Sequence, residues 1–154
     1  AAVEAIHSAD MIVLAPGSLY TSIIPNLLVD GIADAIRESK ALKLYVCNVM
    51  TQEGETEGYT VSDHIQALFS HSYPGLFRLC LTNSTPIPEV IALRYAQEGA
   101  EPIRHDVEKC RALGVELIDR PVAALENGLV RHNPGHLAHE LMTIYEEYKP
   151  KDPA

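Results

Sequence analysis

The chain reads as an α/β domain on a mostly parallel sheet. Three observations predict this. Short apolar, β-rich runs alternate with segments of helical periodicity along the chain, the pattern of strands joined by right-handed helical crossovers. Helix-start and helix-stop residues fall between the runs. Polar loops rich in Gly, Ser, Thr and Asn follow the strand candidates, where parallel sheets bind ligands. With 154 residues the chain suits one domain with its own core, residues 1–154.

Residues 1–8 read as a helix already in progress, and the chain opens without Met, which fits the later part of a larger protein. Met11–Leu14 is a continuous apolar strand. Residues 15–22 form a small-residue turn, with Ser22 as a helix cap. Ile24, Leu27, Leu28, Ile32 and Ile36 then recur at helical spacing to near Arg37, with Pro25 tolerated in the first turn. Residues 43–49 form the next strand, followed by an acidic loop carrying Glu53, Gly54, Glu55, Glu57 and Gly58. Thr60 and Asp63 resemble a capping box that opens a helix with Val61, Ile65, Leu68 and Phe69 inward. Residues 76–82 are a strand and 87–97 a helix with Pro86 and Pro88 near its start. Pro102 and Ile103 suit a short strand, residues 107–113 a helix stopped by Gly114, and 115–118 a further strand. Residues 137–148 form the last helix, with Pro134 and Gly135 as a break before it, and residues 149–154 a frayed tail.

Composition is that of a globular protein: 47% hydrophobic and 21% charged residues. No apolar run is long enough to span a membrane, and no signal-peptide pattern opens the chain. The net charge of −9 argues against nucleic acid and anionic membrane as partners. Cys47, Cys80 and Cys110 are widely spaced and odd in number, which excludes a disulfide or zinc framework. Cys47 and Cys80 fall in strand candidates and read as buried, inert thiols, which suits a reducing, cytoplasmic compartment.

The strand-end rule selects the loops 16–22, 48–58 and 82–88. In the first, Gly17 allows close backbone approach, while Ser18, Thr21 and Ser22 put hydroxyls and backbone N–H groups at a helix mouth. Such a mouth suits a phosphate or carboxylate, and equally a plain turn and cap. Asn48 and Thr51 place an amide and a hydroxyl where they could orient a polar ligand, although Asn48 also suits a backbone cap. Glu53, Glu55 and Glu57 suit a hard cation or, more simply, a solvated acidic loop. Asp63 and His64 could touch a ligand at a pocket rim, or only close the capping box and pack on their helix; as helix neighbours they do not face each other as a catalytic pair. His132, His136 and His139 lack metalloprotease spacing, so no metal site is assigned. Ser18 lacks a nucleophile elbow, and no catalytic residue is assigned.

The block from Ala15 to Asn26, the block from Cys47 to Thr56, and Ser62-Asp63-His64 closely resemble the gluconeogenesis factor (YvcK) family. That family lies within the wider CofD-like, 2-phospho-L-lactate transferase superfamily. Arg94-Tyr95 and the segment from Gly128 to His132 match as well, so the resemblance spans essentially the whole chain. It departs in having Ala15 where the family usually has Gly, and in lacking the family's Gly-Gly-Gly-Thr-Gly loop, which would lie before Ala1. The resemblance therefore implies the C-terminal half of a Rossmann-like, three-layer α/β domain, with part of a nucleotide cradle outside this chain. It further implies a regulatory protein that binds a nucleotide sugar such as UDP-N-acetylglucosamine and is linked to gluconeogenic growth, cell-wall synthesis and cell shape. Tyr95 and Arg131 match positions the family uses for the UDP-sugar. Tyr95 could stack on a base or bond a sugar, and Arg131 could fork onto phosphate oxygens or serve as a surface ion-pair residue. The alternative implied is an enzyme of the transferase branch, which moves an activated phospholactyl group to a deazaflavin alcohol with Mg²⁺. Self-association into a homo-oligomer stays open.

Overall fold

Four strands, β1 (Met11–Leu14), β2 (Leu42–Val46), β3 (Leu79–Asn83) and β4 (Glu116–Arg120), form one parallel sheet in the order β1-β2-β3-β4. The computed structural model describes residues 1–151; the end of the expected tail, 152–154, lies outside the described residues. The register pairs Leu44 with Leu79 and Val46 with Leu81 on one face, and Tyr45 with Cys80 on the other. All six are buried, so the central strands are apolar on both sides, as parallel strands must be.

Each face has its own core. Tyr45 and Cys80 pack with Ile24, Leu27 and Ile36, with Val61, Ile65, Leu68 and Phe69, and with Cys110. These come from α2 (Ile24–Leu27), α3 (Ile32–Glu38), α4 (Val61–Ser70) and α6 (Val107–Ala112). Leu44, Val46, Leu79, Leu81 and Ile118 pack on the other side against Leu137, Leu141, Ile144 and Tyr148 of α7 (Pro134–Tyr148). The result is the expected three-layer α/β arrangement. α1 (Ala2–Ser8) lies against α3, and α5 (Glu89–Gln97) has no buried residue.

The structure corrects the sequence reading in five places. The run from Ile24 to Arg37 is not one helix. A π-helix, Leu19–Ile23, leads directly into α2, the chain turns through Gly31 at φ +83°, and α3 continues with a bend of 72°. Ser22 consequently caps nothing: its N–H bonds to the Ser18 carbonyl at 2.9 Å, inside the helix that Ser18 begins. Cys47 lies just past β2 rather than within it, although all three thiols are buried and free. Pro134 does not break a helix; it is the first residue of α7, with the Asn133 side chain accepting the His136 N–H at 3.0 Å. Finally, β5 (Ala123–Glu126) and β6 (Leu129–His132) form an antiparallel hairpin absent from the sequence reading. Its two-residue turn, Asn127-Gly128, has φ of +51° and +73°.

The capping box is present as read: the Asp63 carboxylate accepts the Thr60 N–H at 2.9 Å, and the Thr60 hydroxyl faces the Asp63 N–H. Among the described residues no single helix is long and apolar enough to cross a membrane.

Candidate functional site

The ends of β1 and β2 open side by side on one edge of the sheet, and the hairpin arches toward them. Between them lies a cavity of about 360 Å³. Gly17 and Ser18 come from the first strand end, Asn48 and Thr51 from the second, Tyr95 from α5, and Arg131 and His132 from β6. Of the residues singled out by sequence, Gly17, Ser18, Asn48, Thr51, Tyr95 and Arg131 therefore share one wall.

Asn48 ties the first two loops together. Its Oδ1 accepts the Gly17 N–H at 3.1 Å and its Nδ2 donates to the Gly17 carbonyl at 2.8 Å. The amide is thus a clamp on another loop, not a cap within its own. Thr51 is buried, and its hydroxyl accepts the Glu101 N–H at 2.9 Å while its own N–H bonds to the Glu101 carbonyl. Thr51 therefore shapes the cavity floor with a hydroxyl already engaged. Tyr95 uses its hydroxyl to accept the Val130 N–H at 2.8 Å, which fixes the hairpin against α5 and leaves the ring as its contribution to the cavity. Arg131 is exposed and forms no ion pair among the described residues.

His132 is a residue of this wall that the sequence reading considered only as a metal ligand. Its Nε2 is buried and has no hydrogen-bond partner. Burial pushes the imidazole pKa down, and a hydrogen bond to the Cys47 backbone only partly opposes it. The ring is therefore neutral near neutral pH. His136 and His139 are exposed on α7, and among the described residues no three side chains gather as a metal site.

The other candidates lie outside the cavity. Thr21 and Ser22 are exposed on the π-helix, and Ser22 borders a separate apolar hollow beside β1. The helix mouth already holds an anion: Glu55 Oε1 accepts the Tyr20 N–H at 2.7 Å. The Tyr20 hydroxyl, 2.8 Å from that of Tyr59, has its pKa pushed up to about 12, first by that hydrogen bond and then by burial. Asp63 is engaged in the capping box. His64 is buried in the α4 core, where Nδ1–H donates to the Thr60 carbonyl at 2.8 Å and Nε2 has no partner. Asp106 accepts from the Thr60 hydroxyl at 2.7 Å and the Ser62 N–H at 2.9 Å, linking α6 to α4. Burial would raise its pKa, but these donors together hold it below the usual value. The third strand-end loop also serves structure: Asn83 Oδ1 accepts N–H groups of Thr85 and Ala123, each at 3.0 Å.

The cavity wall can present an anion with a fixed cation, a hydroxyl, backbone donors and an aromatic face. Its lining contains no carboxylate, the side chain by which Mg²⁺ is commonly held beside phosphates, so this wall alone does not fit that ion.

Comparison with known proteins places the sequence and the fold. The gluconeogenesis factor of Halalkalibacterium halodurans is 47% identical over 139 residues, covering 90% of this chain and 43% of that protein. The gluconeogenesis factor of Bacillus subtilis is 41% identical over 145 residues, covering 94% of this chain and 46% of that protein. The chain thus spans about half the length of the curated relatives it matches. The crystal structure of a UPF0052 family member from Bacillus halodurans superposes with a TM-score of 0.87 at 46% identity, covering 91% of this chain and 45% of that one. The family model described as 2-phospho-L-lactate transferase CofD matches residues 1–123, from α1 to the first residue of β5. By that match, the chain belongs to the CofD family.

Proposed function

We propose that this chain forms one wall of a nucleotide-sugar site, for a ligand like UDP-N-acetylglucosamine, in a regulatory protein of the gluconeogenesis factor type. The observation that carries this reading is the convergence of Gly17, Ser18, Asn48, Tyr95 and Arg131 on one cavity. In this reading Arg131 forks onto the diphosphate, Ser18 bonds it, and the Tyr95 ring flanks the base or sugar. A role in gluconeogenic growth follows from the relatives' names; links to cell-wall synthesis and cell shape, and a cytoplasmic location, belong to the same proposal. The test is calorimetric titration of the full-length protein carrying this chain with UDP-N-acetylglucosamine. Binding that weakens about ten- to a hundredfold in Arg131→Ala supports the reading, the range of one lost charge-assisted contact. No binding at millimolar ligand overturns it.

A second reading has one observation in its favour: the matching family model is described as a transferase. In it, the same wall holds a nucleotide-activated phospholactate and Mg²⁺ comes with phosphate and residues beyond this chain. Product formation with a deazaflavin alcohol acceptor supports that reading, and its complete absence with Mg²⁺ present sinks it.

A further inference from the structure

The cavity is short of positive charge. A nucleoside diphosphate ester carries two negative charges at neutral pH. Among the described residues lining the cavity, Arg131 is the permanent cation, and no lysine joins it. His132 follows it directly on β6, and strand alternation turns the imidazole inward toward Cys47 while Arg131 faces solvent. Nε2 of that imidazole is a buried polar atom without a partner, and His132 is one of the residues lining the cavity. An orphaned buried nitrogen is costly, and it is rare unless something completes it.

We propose that His132 is a second anion-binding group of this site, taking up a proton when a diphosphate ligand binds beside Arg131. The proposal rests on the nucleotide-sugar reading for the ligand's identity, but on the cavity for the charge. The surroundings favour a proton that arrives with the ligand. β5 places Ala123 opposite His132, the end of β2 brings the buried Cys47, and α5 brings Tyr95 with its hydroxyl engaged by Val130. The first turn of α7 brings the exposed His136. No carboxylate lines the cavity to charge the ring beforehand, and burial keeps it neutral in the free protein. A diphosphate adds the missing counter-charge and reverses that balance.

Two measurements on the full-length protein test this. In the first, UDP-N-acetylglucosamine is titrated calorimetrically between pH 5.5 and 8 in two buffers of different ionisation enthalpy. Expected is uptake of up to one proton, with affinity rising by up to roughly tenfold for each unit the pH falls between the bound and the free pKa, and loss of both in His132→Gln. In the second, the His132 ring is followed by NMR with inorganic pyrophosphate as the probe, and its midpoint moves up. An unmoved midpoint, or proton uptake that persists in His132→Gln, overturns the proposal. If the sugar nucleotide fails to bind while pyrophosphate raises the midpoint, the nucleotide-sugar reading falls and the role of His132 stands.

Discussion

The Asn48 carboxamide closes a pair of hydrogen bonds on the backbone N–H and C=O of Gly17, one accepted at 3.1 Å and one donated at 2.8 Å. This pair joins the ends of β1 and β2 across 31 residues of sequence and fixes the mouth of the cavity. Both groups are half-buried, so water replaces the lost partner poorly. Asn48→Ala should lower stability by about 1–3 kcal/mol, read from urea unfolding, and weaken nucleotide binding further than stability alone explains. Asn48→Asp separates the two bonds. It keeps an acceptor for the Gly17 N–H but sets a carboxylate oxygen against the Gly17 carbonyl. Its loss should match or exceed that of Asn48→Ala at pH 7 and shrink as the carboxyl is protonated in acid.

Tyr95 is held by its hydroxyl and presents its ring, which predicts two different variants. Tyr95→Phe leaves the half-buried Val130 N–H without its acceptor, at a cost of about 1 kcal/mol, and should speed hydrogen exchange at Val130 more than at β3 amides. The ring survives, so nucleotide affinity should fall only as far as the loosened hairpin lets Arg131 move, and much less than in Tyr95→Ala. Tyr95→Ala should lose both hairpin protection and affinity. Equal loss of affinity in the two variants would show that the hydroxyl's anchoring of the hairpin, not the ring, carries the affinity.

The parallel sheet was legible because burial on both faces writes itself as continuous apolar runs such as Leu44-Tyr45-Val46. The Thr60–Asp63 box was legible because it is local chemistry. The break between α2 and α3 is hidden by a periodicity that carries on through Leu28 and Ile32; Leu28 is in fact exposed, and the chain turns at Gly31, a residue the sequence reading passes over. The hairpin was missed for a related reason. Leu125 and Leu129 are both exposed, so its strands show no clean alternation, and only Asn127-Gly128 announced it. The strand-end rule found Gly17 and Asn48. It could not find His132, whose burial depends on the hairpin folding over Cys47, a contact between segments distant in sequence.

His64 and His132 set the acid response of the fold. Burial depresses both pKa values below the ordinary value of 6.5. The unfolded chain therefore takes up protons before the native one does. Stability is fully present above pH 6.5 and declines as pH falls from there through the folded pKa values, by at most about 1.4 kcal/mol per pH unit for each histidine. Denaturant unfolding from pH 8 to pH 5 should show this decline. His64→Phe, which keeps an aromatic ring against Tyr59, should flatten part of the slope. A slope unchanged by this variant would place the response elsewhere.

Gly128 is where two constraints meet, and a mutant cycle separates them. Its φ of +73° favours glycine, and a Cβ there would lie 2.2 Å from Arg94 Nη1. The guanidinium is the far end of a flexible side chain, so it can move aside, but the backbone conformation cannot be relieved without reshaping the turn. Gly128→Ala should therefore destabilise the hairpin by about 1–2 kcal/mol, mostly through backbone strain. In an Arg94→Ala background the same substitution should cost only the strain, about 1 kcal/mol, and the difference measures the clash. The consequence reaches the cavity, because β6 carries Arg131 and His132 directly from this turn. Gly128→Ala should thus weaken nucleotide binding although the glycine does not line the site. Hydrogen exchange at Val130, next to the Tyr95 contact, should report the hairpin loosening in step with that loss.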